Sequence, residues 1–154
     1  MTTITTAAAT SPERGPLTRT VDDFVAAQGR VLAAGVTSPD DYEPVAAYVD
    51  TATFKRVGAY LEVLDWEEYK RFLTDWAAGG TRFEMTQFHI TEIGNAVFQE
   101  IEERHFRGDT FIRKNVMAVY RFNEAGKIAH LDIYEQAQDS GAWIKDAARA
   151  AMAG

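Results

Sequence analysis

The second half of the chain is a run of four long alternating segments separated by very short polar loops. The segments span residues 81–93, 96–107, 110–123 and 127–137, and the loops between them contain glycine, asparagine and aspartate. Side chains of a strand alternate between its two faces, and short loops of this composition join antiparallel neighbours. The sequence therefore predicts a four-stranded antiparallel meander from residue 81 onward.

The first half of the chain has the apolar spacing of helices. A first helix is predicted from an N-cap at Thr20 to about Ala34. A short second helix starts at Ser38-Pro39, because serine caps helices and proline suits their first position. A short strand is predicted within residues 51–61, where the alternation is weak.

A third helix is predicted after residue 64, where Asp65 and Glu68 form a capping-box pattern. Its large apolar residues recur at helical spacing, which is typical of a surface that faces a core. They are Trp66, Tyr69, Phe72, Leu73 and Trp76. Helices followed by a meander indicate an α+β domain, with the N-terminal helices packed on one face of a curved antiparallel sheet.

Composition limits the partners that the chain can bind. Its 154 residues fit one domain, and a net charge of −7 opposes binding to nucleic acid or to an anionic membrane surface. Residues 1–17 lack periodicity, which predicts a disordered tail ahead of a single domain over residues 18–154. No secretory signal pattern and no membrane-length apolar run is present, so a cytoplasmic protein without a membrane partner is predicted.

The last segment of the meander, GKIAHLDIYEQ, has two different faces when it is read as a strand. Alternate residues are alanine, leucine and isoleucine on one face, and histidine, aspartate and tyrosine on the other. If the polar face lines a cavity, His130, Asp132 and Tyr134 converge there in a set suited to proton transfer. If it faces solvent, these residues are ordinary surface, and the periodicity leaves both readings open.

The order of elements and the ending VMAVYRFNEAGKIAHLDIYEQ resemble the cone-shaped fold of nuclear-transport-factor-2-like (NTF2-like) proteins, over about residues 20–137. This superfamily includes the SnoaL-like polyketide cyclases, ketosteroid isomerase and limonene-epoxide hydrolase. The resemblance implies a cone-shaped α+β barrel that binds a hydrophobic small-molecule substrate and uses no cofactor. It also implies that His130, Asp132 and Tyr134 point into the cone.

Limonene-epoxide hydrolases use an Asp–Arg–Asp trio, with a tyrosine and an asparagine on the short first strand. The segment EERHF resembles the Arg-x-Asp part of the trio, with Arg104 in place and Phe106 where the aspartate would be. Asp132 matches the remaining aspartate, whereas Phe54 and Arg56 stand where the tyrosine and asparagine would be. The resemblance therefore fits an epoxide hydrolase, or an epoxide-opening cyclase, only in a degenerate form.

By this resemblance Arg104 and Asp132 meet across the cavity, and Glu102 and Phe106 share the face of Arg104. A buried Arg–Asp pair keeps the aspartate ionised, so Asp132 is predicted as the general base. Arg104 would orient Asp132 or stabilise a developing oxyanion, and His130 would shuttle the proton. The alternative is a structural ion pair without a catalytic role.

The other site residues are predicted to contact a substrate oxygen or to line the apolar wall of the cavity. They are Tyr134, Phe106, Glu102, Phe54, Arg56, Trp66, Tyr69, Phe88, His89 and Met117. His89 has a second interpretation as a half-buried strand residue, and His105 is predicted to point out of the cone. No metal is predicted, because His130-x-Asp132 supplies two ligands and a catalytic metal site normally takes three.

Together with these residues, the resemblance implies a small-molecule enzyme of the SnoaL-like group. Its reaction would be a cofactor-free acid–base cyclisation or isomerisation of a polyketide- or terpenoid-like compound. A degenerate epoxide hydrolase or epoxide-opening cyclase and a non-catalytic ligand-binding or dimerisation module are the alternatives. The resemblance also implies a homodimer formed through the outer face of the sheet, with Leu131, Ile133 and Ile101 in the interface.

Overall fold

The computed structural model describes residues 15–137 and 141–153, which form an α+β fold of helices and one sheet. The helices are α1 (Pro16–Ala34), a 3-10 helix (Pro39–Tyr48), α2 (Trp66–Ala77) and α3 (Ala142–Ala153). The strands are β1 (Lys55–Val57), β2 (Val63–Leu64), β3 (Arg82–Ile93), β4 (Ala96–Arg107), β5 (Thr110–Phe122) and β6 (Ile128–Gln136). No helix within these ranges is long and apolar enough to cross a membrane.

The strands form one curved, unclosed sheet in the order β2-β1-β6-β5-β4-β3. Strands β3 to β6 are the antiparallel meander that the alternation predicts, and that prediction is confirmed. The predicted strand within residues 51–61 is present as the shorter β1, which pairs in parallel with β6 and places Arg56 opposite Leu131. β1 therefore makes the sheet mixed and joins the N-terminal half of the chain to the last strand of the meander.

Helix α1 begins at Pro16 and not at the predicted N-cap, Thr20. The Thr20 hydroxyl donates to the Pro16 carbonyl at 3.1 Å, so it bonds within the helix. The Glu92 carboxylate of β3 accepts from the backbone N–H of Thr18 at 3.0 Å, and this contact satisfies the first turn. The helix therefore includes Pro16 and Leu17 of the predicted tail, and residues 1–14 of that tail lie outside the described residues.

The predicted starts of the next two helices are confirmed. Ser38 caps the 3-10 helix, with Pro39 in its first turn. At α2, Asp65 accepts from the Glu68 N–H at 2.9 Å, and Glu68 accepts from the Asp65 N–H at 2.8 Å. This reciprocal capping box fixes the start of α2 and with it the position of the aromatic stripe that follows.

Replacement of Asp65 by alanine should lower the free energy of unfolding by about 1 kcal/mol, because the N–H of Glu68 loses its acceptor. Urea denaturation followed by far-UV circular dichroism measures the change. Asp75→Ala is the matched control, since Asp75 lies exposed on the same helix and makes no cap. Equal stability of the two variants would contradict the assigned cap.

The apolar core lies between the concave face of the sheet and the helices. Phe24 of α1 packs edge-on against Tyr120 of β5, with ring centroids 5.9 Å apart. The stripe of α2 faces the same space, and Trp66, Tyr69, Phe72 and Trp76 are all buried. Helix α3 packs against α2. The core is not completely filled, and the space left inside it is the candidate site.

Candidate functional site

A cavity of about 280 Å³ lies inside the cone, between the concave face of the sheet and helices α1 and α2. Most of its wall is aliphatic or aromatic. The sheet adds a small set of polar side chains: Arg56 from β1, Gln99, Glu103 and His105 from β4, and Lys114 from β5. A largely apolar cavity with a few convergent polar groups is the usual form of a small-molecule site.

Strand alternation explains why these polar groups lie inside. Ile101 of β4 is buried in the cone, and Glu103 and His105 share its face because strand side chains repeat every second residue. In the register of the sheet, Glu103 lies directly opposite Lys114 of β5. Burial of Ile101 therefore brings a carboxylate, an imidazole and an ammonium group into one layer of the cavity.

Glu103, His105 and Trp76 form a hydrogen-bonded chain across the cavity. The indole Nε1 of Trp76 lies 3.1 Å from His105 Nδ1, and His105 Nε2 lies 2.9 Å from Glu103 Oε2. His105 is buried, and the rings of Phe83 and Trp76 meet it with centroids 5.1 and 5.7 Å away. The chain links helix α2 to the carboxylate on the sheet.

Glu103 is an ionised carboxylate in a mostly apolar environment. Burial alone would raise the pKa of Glu103, but the hydrogen bond with His105 and the positive charges of Lys114 and Arg56 outweigh burial and hold that pKa below its ordinary value. Lys114 Nζ lies 3.7 Å from Glu103 Oε2 and 2.6 Å from Glu135 Oε2. Within residues 15–137 and 141–153, no hydrogen bond reaches the other oxygen, Oε1.

Arg56 is held by one ion pair and by two aromatic rings. Its Nη1 lies 3.1 Å from Glu62 Oε1, and its guanidinium carbon lies 4.7 Å from the ring centre of Phe72 and 5.5 Å from that of Tyr69. A guanidinium group has five N–H donors, and in the described structure Glu62 takes only one. The remaining donors are available to an oxygen atom of a ligand.

The tyrosines of the wall are neutral hydrogen-bonding groups. Tyr120 donates to Gln99 Oε1 at 3.1 Å, and the Tyr69 oxygen accepts from Gln28 Nε2 at 3.1 Å. Burial raises the pKa of Tyr120, and it also raises that of Tyr69 although the charge of Arg56 opposes the change. Because its oxygen already accepts from Gln28, Tyr69 can direct its own O–H toward a bound molecule.

The inward placement predicted for the polar face of β6 is wrong. Leu131 and Ile133 line the cavity, whereas His130, Asp132 and Tyr134 lie on the convex face, where Tyr134 is 60% exposed. The concave face covers the apolar core, and burial of leucine and isoleucine is favourable where burial of an unpaired imidazole or carboxylate is costly. The apolar residues of β6 therefore take the inner positions.

The predicted meeting of Arg104 and Asp132 is also wrong. Arg104 on β4 binds Glu102 at 2.6 Å, and Asp132 on β6 binds His130 at 2.8 Å and Arg121 at 3.2 Å. Strand β5 separates β4 from β6, and all these groups lie on the convex face. The catalytic roles predicted for Asp132, His130 and Arg104 stay predictions, and these residues face away from the cavity.

The predicted wall residues divide between the cavity, the core and the surface. Arg56 and Tyr69 line the cavity. Phe54 and Trp66 lie in the core behind Tyr69, where the Phe54 ring stacks on that of Tyr69 with centroids 5.5 Å apart. Their burial agrees with the interpretation of the α2 stripe as core.

The remaining predicted wall residues lie outside the cone. Phe106 packs on Phe111 on the convex face, and Met117 lies on that same face of β5. Phe88 and His89 are exposed at a shift in the β3–β4 register between Gln87 and His89, which ends the simple alternation along β3.

His105 and Glu103 are the main residues that the sequence interpretation misses. His105 is predicted to point outward, and the structure places it inside. Ile101, Leu131 and Ile133, which are predicted for the outer dimer interface, also line the cavity, so that placement is wrong. The homodimer itself stays a prediction. The sequence did contain a signal for the inner face. Ile101, Glu103 and His105 fall in one alternation class of β4, and an apolar residue such as Ile101 is expected to face the core.

The described side chains include no cluster of three or more histidine, aspartate or glutamate residues that could hold a metal ion.

Comparison with solved structures finds similar folds at low sequence identity. A candidate SnoaL-like polyketide cyclase from Jannaschia sp. CCS1 has a TM-score of 0.64 and 13% identity, covering 84% of this chain and 92% of that chain. AusH from Aspergillus nidulans has a TM-score of 0.63 and 15% identity, covering 86% and 91%. An LEH-like epoxide hydrolase from M. tuberculosis has a TM-score of 0.61 and 19% identity, covering 81% and 86%.

No protein-family model matches the sequence, and no curated protein matches it either. At these identities the structural likeness establishes the fold. The chain has the cone-shaped α+β fold of NTF2-like proteins, as the resemblance of its sequence implies.

Proposed function

We propose that the cavity binds a compact, largely hydrophobic molecule with a carbonyl oxygen, and that Glu103 moves a proton on it. The observation that supports this proposal is an ionised carboxylate in an apolar cavity, with one oxygen held by His105 and the other without a partner in the described structure. The reaction class is the cofactor-free cyclisation or isomerisation that the sequence predicts. The general base changes from Asp132 to Glu103.

In this mechanism Glu103 Oε1 takes a proton from the carbon next to the carbonyl group. The electron pair of the broken C–H bond moves to the carbonyl oxygen, and the resulting enolate is stabilised by the free N–H donors of Arg56 and the O–H of Tyr69. The protonated Glu103 then returns its proton to another carbon, which isomerises the substrate. In a cyclisation the enolate carbon instead attacks a second carbonyl, whose oxygen receives the proton.

The low pKa of Glu103 makes the donors on Arg56 essential to this mechanism. A carboxylate with a lowered pKa is a weak base, so transfer of a carbon-bound proton to it is unfavourable by itself. Preorganised donors in a cavity of low dielectric constant stabilise the developing oxyanion more strongly than water does. Arg56 therefore has to bear the larger part of the stabilisation.

Cavity size and structural relatives narrow the ligand. A volume of about 280 Å³ lies just below the usual range for ligand cavities, about 300–1,000 Å³. It favours a terpenoid-sized compound over a large polycyclic one. Two of the similar structures are described as a SnoaL-like polyketide cyclase and an LEH-like epoxide hydrolase. Both descriptions support small-molecule chemistry inside this fold.

A second candidate function is ligand binding without chemistry. It is favoured by the pairing of the charged groups in the wall, since Arg56 pairs with Glu62, and Lys114 lies between Glu103 and Glu135. Networks of this kind also occur where no reaction takes place. The two functions differ in one measurable property, which is proton transfer on the bound molecule.

The proposal is tested by deuterium exchange into cyclic ketones and β,γ-unsaturated ketones in heavy water, followed by NMR. The wild-type protein should accelerate exchange, and Ala118→Phe should abolish the acceleration because the new ring fills the cavity beside Gln99 and Ile133. Thr86→Phe, on the exposed convex face of β3, is the matched control and should exchange like the wild type.

Circular dichroism of Ala118→Phe verifies that the variant is folded, since overpacking a buried position costs about 1–3 kcal/mol. Absence of exchange with every ketone would contradict the catalytic proposal. If the same ketones quench the tryptophan fluorescence of the wild type, to which Trp76 in the cavity wall contributes, without exchanging deuterium, the non-catalytic binding function is supported.

A further inference from the structure

We infer that Trp76 is a positioning residue: its indole N–H holds His105 in the tautomer protonated at Nε2, and that Nε2–H fixes one oxygen of Glu103. The tautomer follows from the geometry of the described side chains. Its importance for the reaction rests on the proposed function of Glu103.

The tautomer is set by the chemistry of the indole ring. The Trp76 Nε1–H group is only a donor, so His105 Nδ1, at 3.1 Å, has to present its lone pair. A neutral imidazole has one N–H, which then resides on Nε2. His105 Nε2 lies 2.9 Å from Glu103 Oε2, and an ionised carboxylate only accepts.

The other forms of His105 do not fit these contacts. The tautomer protonated at Nδ1 would set two N–H groups against each other at 3.1 Å and two acceptors against each other at 2.9 Å. The imidazolium form would keep the bond to Glu103 but lose the bond from Trp76. The rings of Phe83 and Trp76 enclose His105, which is 4% exposed, so the imidazole has little room to turn.

This arrangement makes His105 a fixed donor and not a proton shuttle. Transfer of its Nε2 proton to Glu103 would leave an imidazolate, which is too unstable to form in such a step. His105 therefore offers no route by which Glu103 could pass on the proton that it takes from the substrate, so that proton either returns to the substrate or exchanges with water at Oε1. The bond from His105 also holds Oε2 away from the ligand, which leaves Oε1 to react.

The test compares two Trp→Phe variants by ¹⁵N-labelled histidine NMR at pH 7. Wild-type His105 should show an unprotonated Nδ1 and a protonated Nε2. Trp76→Phe keeps an aromatic ring but removes the N–H, so the His105 Nδ1 signal should move toward the protonated position. Trp143→Phe is the matched control, because the buried Trp143 N–H has no hydrogen-bond partner in the described structure, and it should leave the His105 signals unchanged.

The wild-type spectrum alone tests the tautomer of His105, without any variant. A His105 protonated at Nδ1 in the wild type would overturn the inference, and so would a Trp76→Phe variant with unchanged His105 signals. In the ketone exchange assay, Trp76→Phe should lower the rate about fivefold to tenfold, as expected for loss of one hydrogen bond. If the tautomer is found but Glu103→Gln exchanges like the wild type, the proposed function fails while the assignment of His105 stands.

Discussion

Glu103→Gln should lower the rate of deuterium exchange into a cavity-bound ketone by about 10²- to 10⁴-fold, the usual contribution of a general base. Glutamine has nearly the same shape as glutamate, and its amide oxygen can still accept from His105 Nε2. The amide cannot take a proton from carbon. Ligand affinity, measured by quenching of tryptophan fluorescence, should change little, so the effect should appear in the rate and not in binding.

Glu100→Gln is the matched control for this prediction. Glu100 lies on the same strand as Glu103 but in the other alternation class, exposed on the convex face. Its replacement removes the same charge without touching the cavity, so the exchange rate should stay at the wild-type value. Loss of activity in Asp132→Asn together with full activity in Glu103→Gln would instead favour Asp132 as the general base, which is the role predicted from the sequence.

Lys114→Met should destabilise the protein by about 3–5 kcal/mol at pH 7, the usual cost of removing one partner from a buried ion pair. The Lys114 side chain is 8% exposed, and its ammonium group lies 2.6 Å from Glu135 and 3.7 Å from Glu103. Methionine fills most of the volume of lysine but leaves both carboxylates without this cation. Urea denaturation measures the difference.

The pH dependence of this difference gives a second readout. In the wild type the pKa of Glu103 is lowered, so its stabilising contribution is present at neutral pH and is lost as the pH falls through that lowered value. In Lys114→Met the Glu103 carboxylate loses one of its neighbouring cations, so the pKa of Glu103 should rise. The cost of burying ionised Glu103 then decreases on acidification, and the gap to the wild type should narrow from pH 7 to pH 5.

Arg113→Met is the control for Lys114→Met. Arg113 is the neighbouring cation on β5, it points to the convex face, and its side chain is 67% exposed. Its replacement should change stability by no more than about 0.5 kcal/mol, as is usual for surface positions. A loss of similar size in both variants would show that net charge, and not the buried ion pair, determines the effect.

The fold is readable from the sequence because its signals are local. The meander follows from the alternation and short polar loops of residues 81–137, and the capping box at Asp65 follows from two residues three positions apart. The start of α1 does not follow in the same way. Its first turn is satisfied by Glu92, which is distant in sequence, so Thr20 presented a plausible local cap that the folded chain does not use.

The candidate site is harder to predict from the sequence, because alternation alone does not show which face of a strand points into the cone. A shift of one residue exchanges the two faces of a strand. The match of Arg104 and Asp132 to epoxide hydrolase positions therefore led to a wrong prediction on both β4 and β6: residues of the convex face were assigned to the inside of the cone. The apolar residues Ile101, Leu131 and Ile133 would have decided the direction correctly, since the core has to lie on their side.

The partner of His105 has no signal in the sequence. Trp76 lies at helical spacing on an apolar stripe, where its ring alone accounts for its presence. Only the docking of α2 on the sheet brings its N–H to His105. Contacts between a helix and a strand of this kind depend on tertiary packing, which periodicity does not encode.

The opposition of Glu103 and Lys114 across one hairpin bears on how the site assembles. β4 and β5 are joined by the short turn at Gly108-Asp109, so the two charges meet as soon as this hairpin closes, an event of microseconds with a small loop-closure cost. At that stage water still surrounds them. The carboxylate and the ammonium group can thus be buried as an ion pair that has already formed when the helices dock, so neither charge has to be desolvated alone.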